Sequence, residues 1–235
     1  MASSRITVYT SITDGKDAPI SDQILGEAEF LAFTDLAYAP PWHIKKPYTR
    51  FKDERRNSRI QKILAHQYIS SEYSIYIDGN IRLLVPPEQL IQEHLHDVDL
   101  AVFRHTKRDC LYDEAVVCAK RGLDDPETII EQASTYEKDG FAKHKGLNEC
   151  GVILRRHTRK VEEFNNAWWS EYCRHSCRDQ ISFMYAIDKV GLRFKSIDEP
   201  WFLVETGDKA IRSGGGIEIT AHQKLNYSNL PHKHE

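Results

Sequence analysis

Residues 76–82 read YIDGNIR, and the architecture turns on what Asp78-Gly79-Asn80 does there. Asp-Gly between apolar runs is a strong hairpin signal, because both residues accept the backbone angles of a tight turn. The same tripeptide also offers a carboxylate and an amide oxygen to a divalent metal carrying a nucleotide diphosphate. Taken alone, it leaves both readings open.

Outward from this point the segments alternate. Tyr73–Ile77 is strand-like, and residues 54–68 before it carry Ile60, Ile63, Leu64 and Tyr68 at helical spacings of three and four. Further strands are predicted over 6–10, 30–34, 100–104, 150–155 and 192–197. Further helices are predicted around Leu90–Val98, over 109–121 with a stop at Gly122, and from the Asp125-Pro126 cap to Gly140. Two more cover Val161–Tyr172 and Asp179–Val190. Strands alternating with helices predict an α/β fold, a mostly parallel central sheet with helices on both faces. With no repeat and no break in composition, one domain is expected over 1–235. Residues 1–4 and 229–235 are expected to fray, and Ser213-Gly214-Gly215-Gly216 to form a flexible loop.

The chain has 235 residues, 40% hydrophobic and 29% charged, with a formal charge of −3. That balance argues against bulk nucleic-acid binding, which favours a basic surface. No apolar run is long enough to span a bilayer, and no h-region follows the N-terminus. The five scattered cysteines fit free thiols in a reducing compartment. A cytoplasmic location is therefore expected, the alternative being a targeting segment outside this sequence.

Ligands of open α/β sheets bind beyond the carboxyl ends of the strands. The polar groups predicted there are Thr10-Ser11-Ile12-Thr13-Asp14-Gly15, Thr34-Asp35, Asp78-Gly79-Asn80 and His105. On the helix before Asp78, Arg55, Arg59, Lys62 and His66 fall within a narrow arc beside the apolar face. That arc is either a solvated charged face or a set of cations for a diphosphate. Asp, Asn and a later His suit manganese or magnesium better than zinc. Cys173 and Cys177, with His175 between them, are a weak zinc signal because no second cysteine pair accompanies them. No P-loop, nucleophile elbow or dinucleotide fingerprint is present.

Six stretches carry a resemblance in order along the chain: ITVYTSITDGKD, RRNSRIQKILAHQY, YSIYIDGNI, RHTKRDCLYDEA, GVILRRH and RDQISFMYA. Together, over roughly residues 5–205, they resemble the TOD/MUCI-type glycosyltransferase-like domain family. That family is similar to GT-A glycosyltransferases, and its layout is similar to the family 8 retaining enzymes. The resemblance implies a nucleotide loop at Tyr9–Asp14, a metal turn at Asp78-Gly79-Asn80 and an acceptor strand at Asn148–Val152. It further implies a reaction-centre segment at Asp179-Gln180 and a late motif at His222-Gln223-Lys224. Asn80 replaces the second aspartate of the metal turn, and the late motif is compressed.

The activity implied by the resemblance is that of a hexosyltransferase. It would move sugar from a nucleotide sugar, a UDP-sugar first, to a glycan or other hydroxyl acceptor with Mn2+ or Mg2+. On the same resemblance, donor contacts fall on Tyr9, Thr10, Ser11, Asp14, Asp35, Arg59, Lys62, Asp78, Gly79, His105, Arg108, Gly151 and Lys224. Metal ligands fall on Asp78, Asn80 and His222, and the reaction centre on Asp179, Gln180 and Glu149. Asp179 is expected to act as a base or to stabilise positive charge. Alternatively Asp179 only caps its helix, and the catalytic assignment moves to Glu149 or Gln180. Two rival functions stand beside the transferase: a non-catalytic nucleotide or glycan module, suggested by Asn80, and a hydrolase of a sugar- or lipid-linked substrate with the same pocket. Trp168 and Trp169 are expected in the core. Trp42, after Pro40-Pro41, is expected to be exposed as an acceptor platform.

Overall fold

The computed structural model describes residues 5–13, 15, 17–198, 202–206 and 209–221, with backbone alone for 202–206 and 209–212. Eleven strands and six α-helices follow one another among them. The order is β1 (Ile6–Ile12), β2 (Glu29–Thr34), β3 (His43–Lys45), α1 (Glu54–Ile63), β4 (Tyr73–Ile77), β5 (Ile81–Leu83), α2 (Pro87–His94) and β6 (Leu100–Arg104). Then come α3 (Leu111–Lys120), α4 (Pro126–Lys138), β7 (Asn148–Arg156), α5 (Arg159–Arg174), α6 (Asp179–Val190), β8 (Lys195–Ile197), β9 (Phe202–Thr206), β10 (Lys209–Gly214) and β11 (Ile217–Ile219).

Seven strands form the central sheet in the order β3-β2-β1-β4-β7-β6-β8. All pairings are parallel except the two made by β7, which runs against β4 and β6. The sheet is therefore mostly parallel, and the carboxyl ends of β1, β2 and β4 share one edge. One face is covered by α1 and α3–α6 around Trp168, Phe164, Phe183 and Ile63. Complete burial of side chains this large stabilises by about 1.5–3 kcal/mol each. The other face packs on α2, Trp42, β5 and β11. No helix among the described residues is long and apolar enough to cross a membrane. All five cysteines are free thiols.

Local chemistry accounts for the element ends. Asp125 caps α4 by accepting from Thr128 N at 2.8 Å, with Pro126 in the first turn. Gly191, at φ 66°, closes α6 in the left-handed conformation that favours glycine.

Several expectations are corrected. The helix over 54–68 stops at Ile63, and a 3-10 turn at Ala65–Gln67 takes the chain on. The helix over 109–121 is shorter at each end, and the strand over 192–197 begins only at Lys195. The glycine run is no loose loop: Gly215 and Gly216, at φ 55° and 76°, make the two-residue turn between β10 and β11. A side chain on Gly216 would lie 2.6 Å from Val85, so glycine is also required by space. Trp42 is buried rather than a platform. Its ring meets Phe30 edge-on at 5.1 Å, and its indole N–H donates to Ile20 O at 2.8 Å.

Candidate active site

The Asp78-Gly79-Asn80 tripeptide is a turn but not a hairpin. Ile81 N bonds back to Asp78 O at 3.0 Å, as a β-turn requires, yet β5 pairs with β11 and not with β4. The turn hands the chain from the central sheet to the small antiparallel sheet β5-β11-β10-β9. Asp78 is left at the carboxyl end of β4, where its amide is pinned to Gly151 O at 2.8 Å. Asn80 points its amide nitrogen away and donates to Thr220 O at 2.7 Å, locking the strand after the glycine turn.

A cleft of about 500 Å³ opens here, lined by Arg59, Lys62, Asp78, Asn80, Ile81, Arg121, Glu149, Cys150, Gly151, Arg178, Asp179, Gln180 and Ile219. Its lining carries four cationic side chains and three carboxylates. The centre is Asp179, first residue of α6. Its Oδ2 accepts from Lys62 Nζ at 2.6 Å and lies 3.1 Å from Arg59 Nε, while its Oδ1 accepts from its neighbour Gln180 N at 3.0 Å. Burial alone would raise the Asp179 carboxyl. The charges of Lys62, Arg59 and Arg178 overcome that and hold it well below the usual carboxylate range.

Lys62 Nζ also lies 3.9 Å from Asp78 Oδ1, which accepts from Tyr76 OH at 2.7 Å, and it sits 4.9 Å above the Tyr76 ring. Burial and then the Asp78 charge push the Tyr76 hydroxyl well above its ordinary value, so it remains a donor. Gly151 makes room for Asp78: a side chain there would come within 3.3 Å of Asp78 Oδ2 and of Ile81 Cδ1. Gly79 is equally confined, since a side chain would meet Ile12 Cδ1 at 2.5 Å.

Of the residues singled out from the sequence, Arg59, Lys62, Asp78, Asn80, Glu149, Gly151, Asp179 and Gln180 come together in this cleft. Of the two readings of its arc, the solvated face does not describe Lys62, for it is almost wholly buried. Tyr9, expected at the nucleoside, is buried in this structure. Its ring packs on Phe33 and Tyr76, its hydroxyl donates to Lys62 O at 3.2 Å, and Arg155 Nη1 donates to that hydroxyl at 3.1 Å. Thr10 and Ser11 are buried too, with Ser11 Oγ bonded to Gln61 Oε1 at 2.9 Å.

His105 and Arg108 lie on a different cleft, beyond β6. His105 Nδ1 accepts from Lys107 N and Arg108 N, and Arg108 Nε donates to Glu114 Oε2 at 2.5 Å, so both shape that loop. Asp35 is exposed after β2 and does not line the Asp78 cleft. Asp14, His222 and Lys224 lie outside the described residues. Arg121 and Arg178 were missed from the sequence. Arg178 stands beside Asp179 in RDQ, a signal open to reading, whereas Arg121 is brought in only by the course of α3.

The pattern of the TOD1/MUCI70 glycosyltransferase-like domain matches residues 42–206. The chain belongs to that family. The matched span holds α1, the Asp78 turn and the head of α6, while Tyr9 and the β10–β11 turn lie outside it. Among curated relatives, the chain is 31% identical over 154 residues to the "Probable hexosyltransferase MUCI70" of Arabidopsis thaliana, covering 61% of this chain and 26% of that protein. It is 26% identical over 164 residues to the "Alkaline ceramidase TOD1" of the same plant, covering 65% of this chain and 36% of that protein. The chain thus spans about a quarter to a third of the length of these relatives. Among solved structures, the bifunctional glycosyltransferase WbbM superposes with a TM-score of 0.48 at 11% identity, over 84% of this chain and 39% of that one. Mouse xyloside xylosyltransferase 1 gives 0.48 at 10%, over 82% and 84%.

Proposed function

We propose that this family member is a hexosyltransferase domain that takes a nucleotide sugar, first a UDP-sugar, and passes the sugar to a hydroxyl of a glycan or other acceptor. The observation that carries this reading is the convergence of Lys62 and Arg59 on Asp179 beside Asp78. Fixed cations in a partly dry cleft are what a leaving diphosphate requires. In this reading Arg59 and Lys62 meet the diphosphate oxygens, and Arg178 and Arg121 add to the field.

Asp179 is a poor proton acceptor near neutral pH, because three cations stabilise its ionised form. Its role is therefore electrostatic: it orients Lys62 and Arg59 and offers negative charge to an anomeric carbon that becomes positive as its bond breaks. Glu149 is the better candidate to accept the acceptor's hydroxyl proton. Gln180, whose Nε2 donates to Asn148 O at 3.3 Å, keeps the head of α6 against β7.

The donor set at the turn suits a hard divalent ion. The Asp78 carboxylate and the amide oxygen of Asn80 would hold Mn2+ or Mg2+, ions that complete their shells with water and substrate phosphate. When bound, the ion would add positive charge at the departing diphosphate.

The relative that is named a ceramidase raises a second reading, hydrolysis of a lipid-linked substrate. Against it, the cleft wall is mainly charged and polar, which suits a phosphate- and hydroxyl-rich ligand better than a sphingoid chain. A donor screen reading UDP release, with Mn2+ or Mg2+ and with and without glycan acceptors, tests the proposal. Acceptor-dependent release supports it. No release from any nucleotide sugar, together with fatty-acid release from ceramide, overturns it.

A further inference from the structure

Away from the cleft, the start of α3 and the loop before β7 bring three ligand-bearing side chains together. A thiol sulfur of Cys110, a carboxylate oxygen of Asp113 and an imidazole nitrogen of His144 all lie within 4.8 Å of one another. None of the three lines the Asp78 cleft. Cys110 and Asp113 stand one turn apart at the head of α3, so their side chains leave the helix on the same side. Cys110 occupies the capping position, yet its side chain makes no capping bond, and it is buried.

The third ligand arrives in a constrained way. His144 is the one non-glycine among the described residues with a left-handed backbone, at φ 57°. Its Nδ1 lies 2.8 Å from Asp109 Oδ1, and Gly146 N donates to Asp109 O at 2.9 Å. Asp109 thus fixes both the ring and the loop that carries it. A carboxylate behind an imidazole is the outer-shell arrangement that orients metal-binding histidines and strengthens them as donors.

We propose that Cys110, Asp113 and His144 bind a zinc-class divalent ion, with Asp109 as the outer-shell carboxylate behind His144 and a water in the fourth position. Thiolate, imidazole and carboxylate in one small cluster favour zinc over the hard ions that suit Asp78. Binding forms the metal–sulfur bond as the Cys110 thiol releases its proton to solvent. The ion would tie the loop after β6 to the loop before β7. Glu149 begins only two residues beyond Leu147, whose carbonyl already accepts from His105 N at 2.9 Å. The ion would thus hold these two loops together, and the site does not depend on the proposed transferase activity.

The test is Co2+ titration of the full chain after treatment with chelator, followed by displacement with Zn2+. One equivalent of Co2+ should produce a thiolate-to-cobalt charge-transfer band that Zn2+ abolishes. Cys110→Ser should lose the band. Asp109→Asn should weaken binding by about 10- to 100-fold, and His144→Asn, which removes a direct ligand but keeps a residue tolerant of the left-handed backbone, by at least as much. Asp78→Ala should leave it unchanged. Absence of the band in the unaltered chain overturns the proposal, as does a band that survives Cys110→Ser. If Cys110→Ser fails to fold, the exposed His144→Asn decides alone: unchanged Co2+ affinity overturns the site.

Discussion

Lys62 Nζ donates to Asp179 Oδ2 at 2.6 Å, and the two side chains are 2% and 9% exposed. Breaking a buried pair from one side leaves an uncompensated charge, which typically costs about 3–5 kcal/mol. Lys62→Ala should therefore destabilise the fold by about that amount, read from denaturant melts. A change below about 1 kcal/mol would mean that Asp179 finds equal compensation in Arg59 alone.

The same pair has a signature in acid. The Asp179 carboxyl is held below its unfolded value, so the unfolded chain binds the proton first as pH falls. Its contribution is complete above the unfolded carboxylate pKa of about 3.9 and is lost as pH drops through the lower folded value. Asp179→Asn should flatten the stability profile below about pH 4 and leave its slope from pH 5 to 8 unaltered, as urea melts across pH would read.

His157 works in a separate window. Burial first, then the charge of Arg155, pushes its imidazole down to about 4. The folded chain keeps it neutral while the unfolded chain protonates near pH 6.5, so stability is complete above that pH and declines toward pH 4. His157→Asn should make the profile between about pH 6.5 and 4 shallower. An unchanged slope would show that His157 titrates alike in both states.

Tyr9 offers a test of support against ligand contact. Tyr9→Phe removes the hydroxyl that stands between Arg155 and the Lys62 carbonyl. Arg155 is buried, and its Nε and Nη2 have no hydrogen-bond partner among the described residues, so the loss should cost about 1–3 kcal/mol. Nucleotide affinity per folded molecule should not change. Weaker UDP binding with an unaltered melt would return Tyr9 to the donor site.

The legible parts of this chain were those whose signal is local. The strand before Asp78, the Asp125-Pro126 cap and the stop of α6 at Gly191 depend on residues a few positions apart. The burial of Lys62 was not legible, because its partner Asp179 lies 117 residues later and helical periodicity registers only the polar stripe. Trp42 misled for a related reason: the prolines before it suggest an exposed loop, but Phe30 and the Ile20 carbonyl enclose it. The small sheet was missed because β5 and β11 are three residues each and find one another across the whole chain. His105 sits at a strand end as expected, but its ring is turned to its own loop.

The central claim is that Arg59 and Lys62, held by Asp179, form the diphosphate site. Arg59 tests it most directly, since its side chain is 22% exposed and its removal leaves the Lys62–Asp179 bond in place. Calorimetry of UDP binding with Mn2+ should show the unaltered chain binding and Arg59→Ala binding more weakly by about 1.5–3 kcal/mol, roughly 10- to 150-fold, with the fold intact by circular dichroism. Equal UDP affinity in Arg59→Ala and the unaltered chain, or no binding heat in either, would contradict it.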